Sequence, residues 1–206
     1  MAFNATSSQH YTVATTTLPP ASAGQVAFMR SNWALQSVCD FDTTYQAPFA
    51  LSCPSGAWPG TETGYVLVKP KHTGSLNLSA YWSKDLTQAV SIPTAALNVA
   101  TNLSGQRQRL SLSATAGDRL NFYQLGAAAY ANLELTGPAG VSQLFSGADV
   151  SYVVADTGVH TAVIVPLGAQ QLPAGTQLAV SKDSIVPLTV GSSTPISTGV
   201  PDSICD

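Results

Sequence analysis

Apolar residues in this chain recur in short runs, and Gly, Pro, Asn or Asp cuts each run off before a helix could complete its third turn. Examples are "QHYTVATTT" (9–17), "GQVAFMR" (24–30), "GYVLVKP" (64–70), "GSLNLSAYW" (74–82), "QRLSLSA" (108–114), "DRLNFYQL" (118–125), "ANLELTG" (131–137), "HTAVIVP" (160–166) and "TQLAVS" (176–181). Strands read this way, because successive side chains on a strand point to opposite faces. Leu110 and Leu112 therefore share one face, as do Leu133 and Leu135. The one helix-like stretch, "GAAAYANLEL" (126–135), ends in alternation, so its alanines support a turn or two at most. The expected class is all-β.

The runs also repeat. "YTVATT" (11–16) matches "LNVATN" (97–102), and "SAGQVAFMRSN" (22–32) matches "TAGDRLNFYQL" (115–125), with Gly24 opposite Gly117. "GYVLVKP" matches "TAVIVP", each after a Thr-Gly turn, and "LNLSAYWSKD" (76–85) matches "TQLAVSKD" (176–183). Matches in one order indicate tandem units. The expectation is two antiparallel β-sandwich domains in line, of jelly-roll-like form. The first covers 1–92 and the second 93–184, with Pro93 at the join. Residues 185–206 then form a tail resembling the start of a further unit.

The order "GQRQRLSLSATAGDRLNFYQL", "ANLELTGPAG", "VVADTGVHTAVIVP" resembles the pre-peptidase C-terminal type of bacterial β-sandwich. It is similar also to the tandem repeats of large bacterial surface and Rhs-type proteins. The likeness is good over 97–180 and loose over 11–85, where "CDFDTTYQAPFALSC" stands in the place given to "ANLELTGPAG". It implies an extracellular accessory or structural module and carries no catalytic residues.

Charge narrows the function further. Only 9% of residues are charged, against roughly 25% in an ordinary soluble domain. Such a surface suits an extracellular location, a cell surface or an ordered assembly. The net charge is −3, and the sole basic cluster, Arg107 and Arg109 in "GQRQRL", reads as a solvated face. Nucleic acid is not an expected partner. No apolar run reaches the roughly 18 residues of a membrane span. The N-terminus lacks the basic and apolar regions of a signal peptide, which points either to a removed signal or to another exit route, such as a virion.

Catalytic and metal chemistry find little footing. Three histidines, His10, His72 and His160, occur without a Gly-x-Ser-x-Gly elbow or the spacings of a zinc site. Asp156-Thr157-Gly158 reads as turn chemistry, with His160 as a surface residue beginning the next strand. Asp40 and Asp42 alternate on one strand face and are weak candidates for calcium, against two solvated acids. No cofactor is expected, and the chain reads as a non-enzyme.

What remains are cysteines and aromatics. Cys39 and Cys53 bracket a strand-turn-strand and are candidates for a hairpin disulfide in an oxidising location. Cys205 is left as a free or intermolecular thiol. Trp58, in the Pro/Gly stretch "GAWPGTETG", is expected to be exposed. With Tyr81 and Trp82 it is a candidate contact for a sugar or a neighbouring subunit. Three functions fit. The first is a non-enzymatic extracellular structural or interaction protein that assembles with itself through its termini, the tail of one chain completing a sheet of the next. The second is a carbohydrate-binding accessory or adhesin module whose partner is a glycan. The third is a virion decoration or tail-associated protein.

Overall fold

The computed structural model describes residues 1–15, 23–42, 51–71, 80–125, 131–146, 149–167 and 170–183. Sixteen β-strands and no α-helix lie among them. They are β1 Ala2–Ala5, β2 His10–Thr15, β3 Ala23–Met29, β4 Leu35–Asp42, β5 Leu51–Ala57, β6 Glu62–Pro70, β7 Ala80–Lys84 and β8 Leu86–Val90. The rest are β9 Thr94–Asn98, β10 Gln108–Ala114, β11 Arg119–Leu125, β12 Ala131–Thr136, β13 Ser142–Ser146, β14 Asp149–Val153, β15 Gly158–Pro166 and β16 Gln177–Lys182. "ANLEL" is thus strand β12, and the alanines at 127–129 lie outside the described residues.

The chain divides into two compact units. The first comprises 1–86, 101–108 and 165–172; the second comprises 87–100, 109–164 and 173–206. Each is a sandwich of two sheets, mostly antiparallel. The first unit stacks β1-β6-β3-β4 on β5-β2-β7, and the second stacks β8-β10-β15-β12-β13 on β14-β11-β16-β9. In the first unit the inward residues form one core, with Phe3, Tyr11, Val13, Val26, Phe28, Phe41, Trp58 and Val66 buried together. Leu110, Leu112, Leu120, Phe122, Leu133 and Leu135 are buried in the second. Leu110 with Leu112, and Leu133 with Leu135, point inward together, as the period of two requires.

The two units share one topology. Replacing each strand of the first unit by the one nine places later gives β10-β15-β12-β13 on β14-β11-β16, the order found in the second. Turn hydrogen bonds fix the register. Gln9 N donates to Thr6 O and Asp118 N to Thr115 O; Ser8 N donates to Trp58 O and Gly117 N to Val154 O. Asp85 N donates to His10 O and Asp183 N to Arg119 O. Ser83-Lys84-Asp85 therefore corresponds to Ser181-Lys182-Asp183, and β6 to β15, as two of the sequence matches expected. The other two matches slip. "SAGQVAFMRSN" holds β3, whose counterpart is β12, whereas "TAGDRLNFYQL" holds β11, the counterpart of β2. The slip has a physical source, since β3 and β11 carry similar sequences yet lie in sheets that are not equivalent. Pairing, which sequence similarity does not report, decides between them.

The hairpins correspond as well. Gly137 N donates to Val141 O and Gly140 N to Gly137 O; in the first unit Arg30 N donates to Ala34 O and Trp33 N to Arg30 O. The turn "RSNWA" is thus the counterpart of "GPAGV". The segment "CDFDTTYQAPFALSC" replaces no hairpin. Strands β8 and β9 have no counterpart among the described residues of the first unit. β8 lies outside β10 and β9 outside β16, so together they cover one flank of the second sandwich.

Candidate functional site

Among the described residues the first unit has one closed flank and one open one. On the closed flank, Cys39 of β4 is bonded to Cys53 of β5 with their Cα atoms 5.7 Å apart. β4 pairs with β3 in one sheet and β5 with β2 in the other. The bridge therefore staples sheet to sheet. The expected disulfide is present but the expected hairpin is not, because the chain between the cysteines crosses the sandwich. Side chains add to the staple. Gln36 Nε2 donates to Ala57 O at 2.9 Å, and Ser37 Oγ to Pro54 O at 2.5 Å.

On the other flank β1 and β7 are end strands, and no strand among the described residues pairs beyond either. Met1 and Val66 exchange both backbone hydrogen bonds, so alternation turns the N–H and C=O groups of Ala2 and Asn4 away from β6. Between the two end strands stands Trp82, with its ring 5.0 Å from Phe3 and 5.7 Å from Tyr11, and it is still 36% exposed. By the Ser-Lys-Asp register its counterpart is Val180, which is 0% exposed and lies opposite Thr94 of β9. A bulky indole in the first unit thus occupies a position that the second keeps under an added strand. Tyr81, its neighbour on β7, is exposed.

A second exposed feature lies on the outer face of the first sheet. Leu35 and Tyr65 flank Met29, and Val38 and Leu67 flank Ala27, two apolar rows on one face. At their edge Trp33, 59% exposed, stacks on Tyr65 with ring centroids 4.7 Å apart and planes 12° apart. Its backbone is left-handed, φ 63°, where the second unit has Gly140 at φ 79°. An aromatic residue in that region is an outlier, held by its surroundings. Here the holder is Glu62, which accepts from Arg30 Nε at 2.7 Å, from Ser31 N at 3.1 Å, from the Ser31 hydroxyl, and from Trp58 Nε1 at 3.2 Å. The Ser31 hydroxyl first, then the Arg30 guanidinium, push the Glu62 carboxyl down to about 2. Both of its oxygens are engaged, so this acid works as an anchor for the turn.

Other candidates move. Trp58 is not an exposed contact: it is 1% exposed, and its ring packs against Phe3, Tyr11 and Phe28. Its Pro/Gly surroundings are a loop, but one folded back so that Trp58 N donates to Gln9 O, which carries the indole into the core. His160 is likewise buried at 1%, between Tyr152 and Gly137, with Nε2 2.9 Å from Asp156 O. Asp156 and Thr157 lie in the bend between β14 and β15, Gly158 opens β15 at a φ of 152°, and Thr157 Oγ1 accepts from Ala116 N. Arg107 is buried too, since its segment packs with the first unit, where its carbonyl takes Leu86 N.

Asp40 and Asp42 are exposed and line a groove with Lys69 and Lys71. Gln25 Nε2 donates to Asp40 at 2.9 Å. Two ammonium groups in the same groove oppose a divalent cation, and no group of three metal-ligating side chains occurs among the described residues. No helix among them is long and apolar enough to cross a membrane. Cys205, His72 and the tail 185–206 lie outside the described residues.

Sequence alone contained the signal for Trp33: an aromatic at the fourth position of a turn whose counterpart holds glycine. Reading it required the hairpin register.

No protein-family model and no curated protein matches the chain. Among solved structures it is similar to Aeromonas hydrophila PliG, a periplasmic lysozyme inhibitor of g-type lysozyme. The TM-score is 0.38 at 16% identity, over 48% of this chain and 99% of that one. It is similar also to the CUB1-EGF-CUB2 domain of human MASP-1/3, with TM-score 0.32 at 6% identity, over 89% and 92% of the two chains. A third match is Lac15 from a marine microbial metagenome, with TM-score 0.25 at 13% identity, over 77% and 45%. These are distant likenesses among β proteins, and they assign no family.

Proposed function

We propose that this protein is a non-enzymatic structural or interaction protein that works outside the cytoplasm, at a cell surface or in a secreted assembly, and that associates with itself. The observation that carries the reading is the open β1/β7 flank. End strands offer unpaired backbone groups to another chain, and proteins ordinarily blunt or cover them. Here the opposite flank is stapled by a disulfide and by side-chain bonds to β5 carbonyls, and the second unit covers the matching flank with β8 and β9. The inter-sheet disulfide supports an oxidising compartment, which suits extracellular placement. The small share of charge supports close packing of copies, because little on the surface repels a like neighbour.

Sedimentation velocity of the full chain over a wide concentration range tests this reading. The expected result is a mass that grows with concentration; a strictly monomeric chain throughout contradicts it.

A second reading, a glycan-binding adhesin or accessory module, is supported by Trp33, an exposed ring on a fixed turn with neighbouring polar groups. A glycan array read with the wild type and with Trp33→Ala tests it. Binding that the substitution leaves untouched, or none at all, sinks it.

A further inference from the structure

We infer that the residues beyond Asp183 of one copy add as strands to the open flank of the first unit of a second copy, alongside β1 and β7. This rests on the self-association reading and names the two surfaces that meet.

The internal repeat carries the inference. In the first unit, β7 ends at Ser83-Lys84-Asp85, and the chain that follows becomes β8 and β9. Those strands serve the next unit, β8 beside β10 and β9 beside β16. In the second unit, β16 ends at the corresponding Ser181-Lys182-Asp183, and the chain runs on from 184 to 206. The positions that β8 and β9 fill are, in the first unit, those beyond β1 and β7, and both are end strands there among the described residues. A segment following one sandwich covers the flank of the sandwich after it. A second copy repeats that relation, so the contact is head-to-tail and heterologous, the kind that builds a ring or an open filament.

The sequence beyond Asp183 suits the role. "SIVPLTVGSSTPIST" has two apolar stretches split by small polar residues, as "LTQAVSIPTAALN" does across 86–98. Leu188 and Val190 stand two apart and so share one face of a strand, the face that would meet Trp82 and Phe3 in the gap between the sheets. The same strands turn their backbone groups to Ala2 and Asn4, giving the main-chain ladder that strand addition uses for affinity. Trp82 is the side chain whose surroundings change most. Its counterpart Val180 is fully buried opposite β9, while Trp82 retains 36% exposure.

Two full-length variants and their mixture test this. Asn4→Pro removes an outward N–H and leaves the β6 side of β1 intact, a place where an edge strand tolerates proline. It blocks the receiving flank and keeps the tail. Leu188→Lys/Val190→Lys spoils the tail and keeps the flank. By sedimentation velocity each variant alone is expected to be monomeric at concentrations where the wild type associates. An equimolar mixture is expected to give a dimer, twice the monomer mass and no larger, because one good tail meets one good flank. That dimer appears only if both variants are folded, so it separates blocked assembly from misfolding. Joining an Asn4→Cys chain to a Leu188→Cys chain gives a second readout, a disulfide-linked dimer under oxidation.

A wild type that associates while both variants associate equally well overturns the tail-to-flank contact and leaves self-association standing. So does a mixture that stays monomeric and forms no cross-link. A wild type that is monomeric at every concentration overturns self-association itself, and the tail contact with it.

Discussion

Trp33 holds in the first unit the left-handed position that Gly140 holds in the second, each as the fourth residue of a five-residue hairpin turn with the same backbone bonds. A non-glycine residue there bears a strain of about 1 kcal/mol or more. Stacking on Tyr65 returns roughly 0.5–1.5 kcal/mol. The two nearly cancel, so Trp33→Gly should leave stability close to wild type. At Gly140 an added Cβ meets no atom within 4 Å, yet the φ of 79° remains unfavourable. Gly140→Ala should therefore destabilise the second unit by about 1 kcal/mol in urea unfolding, with no compensation. A large loss from Trp33→Gly, above about 2 kcal/mol, shows that the ring is a packing residue and removes the case for a contact role.

The Cys39–Cys53 bridge closes a loop of sequence separation 14 and ties two sheets together. A loop of that size contributes about 3 kcal/mol by restricting the unfolded chain. Reduction should lower the melting temperature of the first unit and leave the second unchanged, giving two transitions in calorimetry. Mass spectrometry of the unreduced protein should find the pair linked. Free alkylation of both thiols in the native protein contradicts the staple.

Acid should act on the hairpin turn through Glu62. Its carboxyl is pushed down from 4.5 to about 2 by the Ser31 hydroxyl and then by Arg30. A depressed acid binds its proton less readily when folded, so its stabilisation is complete above about pH 4.5 and is lost as the pH falls towards 2. Asp118 is lowered in the same sense, first by Lys182, whose Nζ is 2.6 Å away, and so gives the second unit an acid limb of its own. Glu62→Gln should flatten the limb of the first unit only. An unchanged profile in that variant shows that the Arg30–Ser31–Glu62 cluster does not hold the turn.

The all-β class and most strands were legible because alternation reports burial directly, and Leu110, Leu112, Leu133 and Leu135 all point inward as read. The Ser-Lys-Asp correspondence was legible too, since identical residues end equivalent strands. Pairing was not. In each unit nearly every connection crosses between sheets, so neighbouring segments of similar pattern belong to different layers, and the repeat slips by one strand. The same blindness turned an inter-sheet disulfide into a hairpin one. Trp58 and His160 were misplaced for a local reason. Pro, Gly and Asp around them mark turns correctly, but a turn says nothing of whether its flanking side chain folds inward. The place of Trp33 on an exposed turn was not legible because its strain is a property of φ, which composition does not carry.

Hydrogen exchange of individual amides, measured on the full chain when dilute and again when concentrated, tests most directly whether the open flank is where copies join. The amides of Ala2, Asn4 and Trp82 are expected to exchange quickly in dilute solution and to become protected at high concentration, while amides of β3 and β11 exchange slowly in both. Protection of the β1 and β7 amides that does not change with concentration, or fast exchange at every concentration, contradicts it.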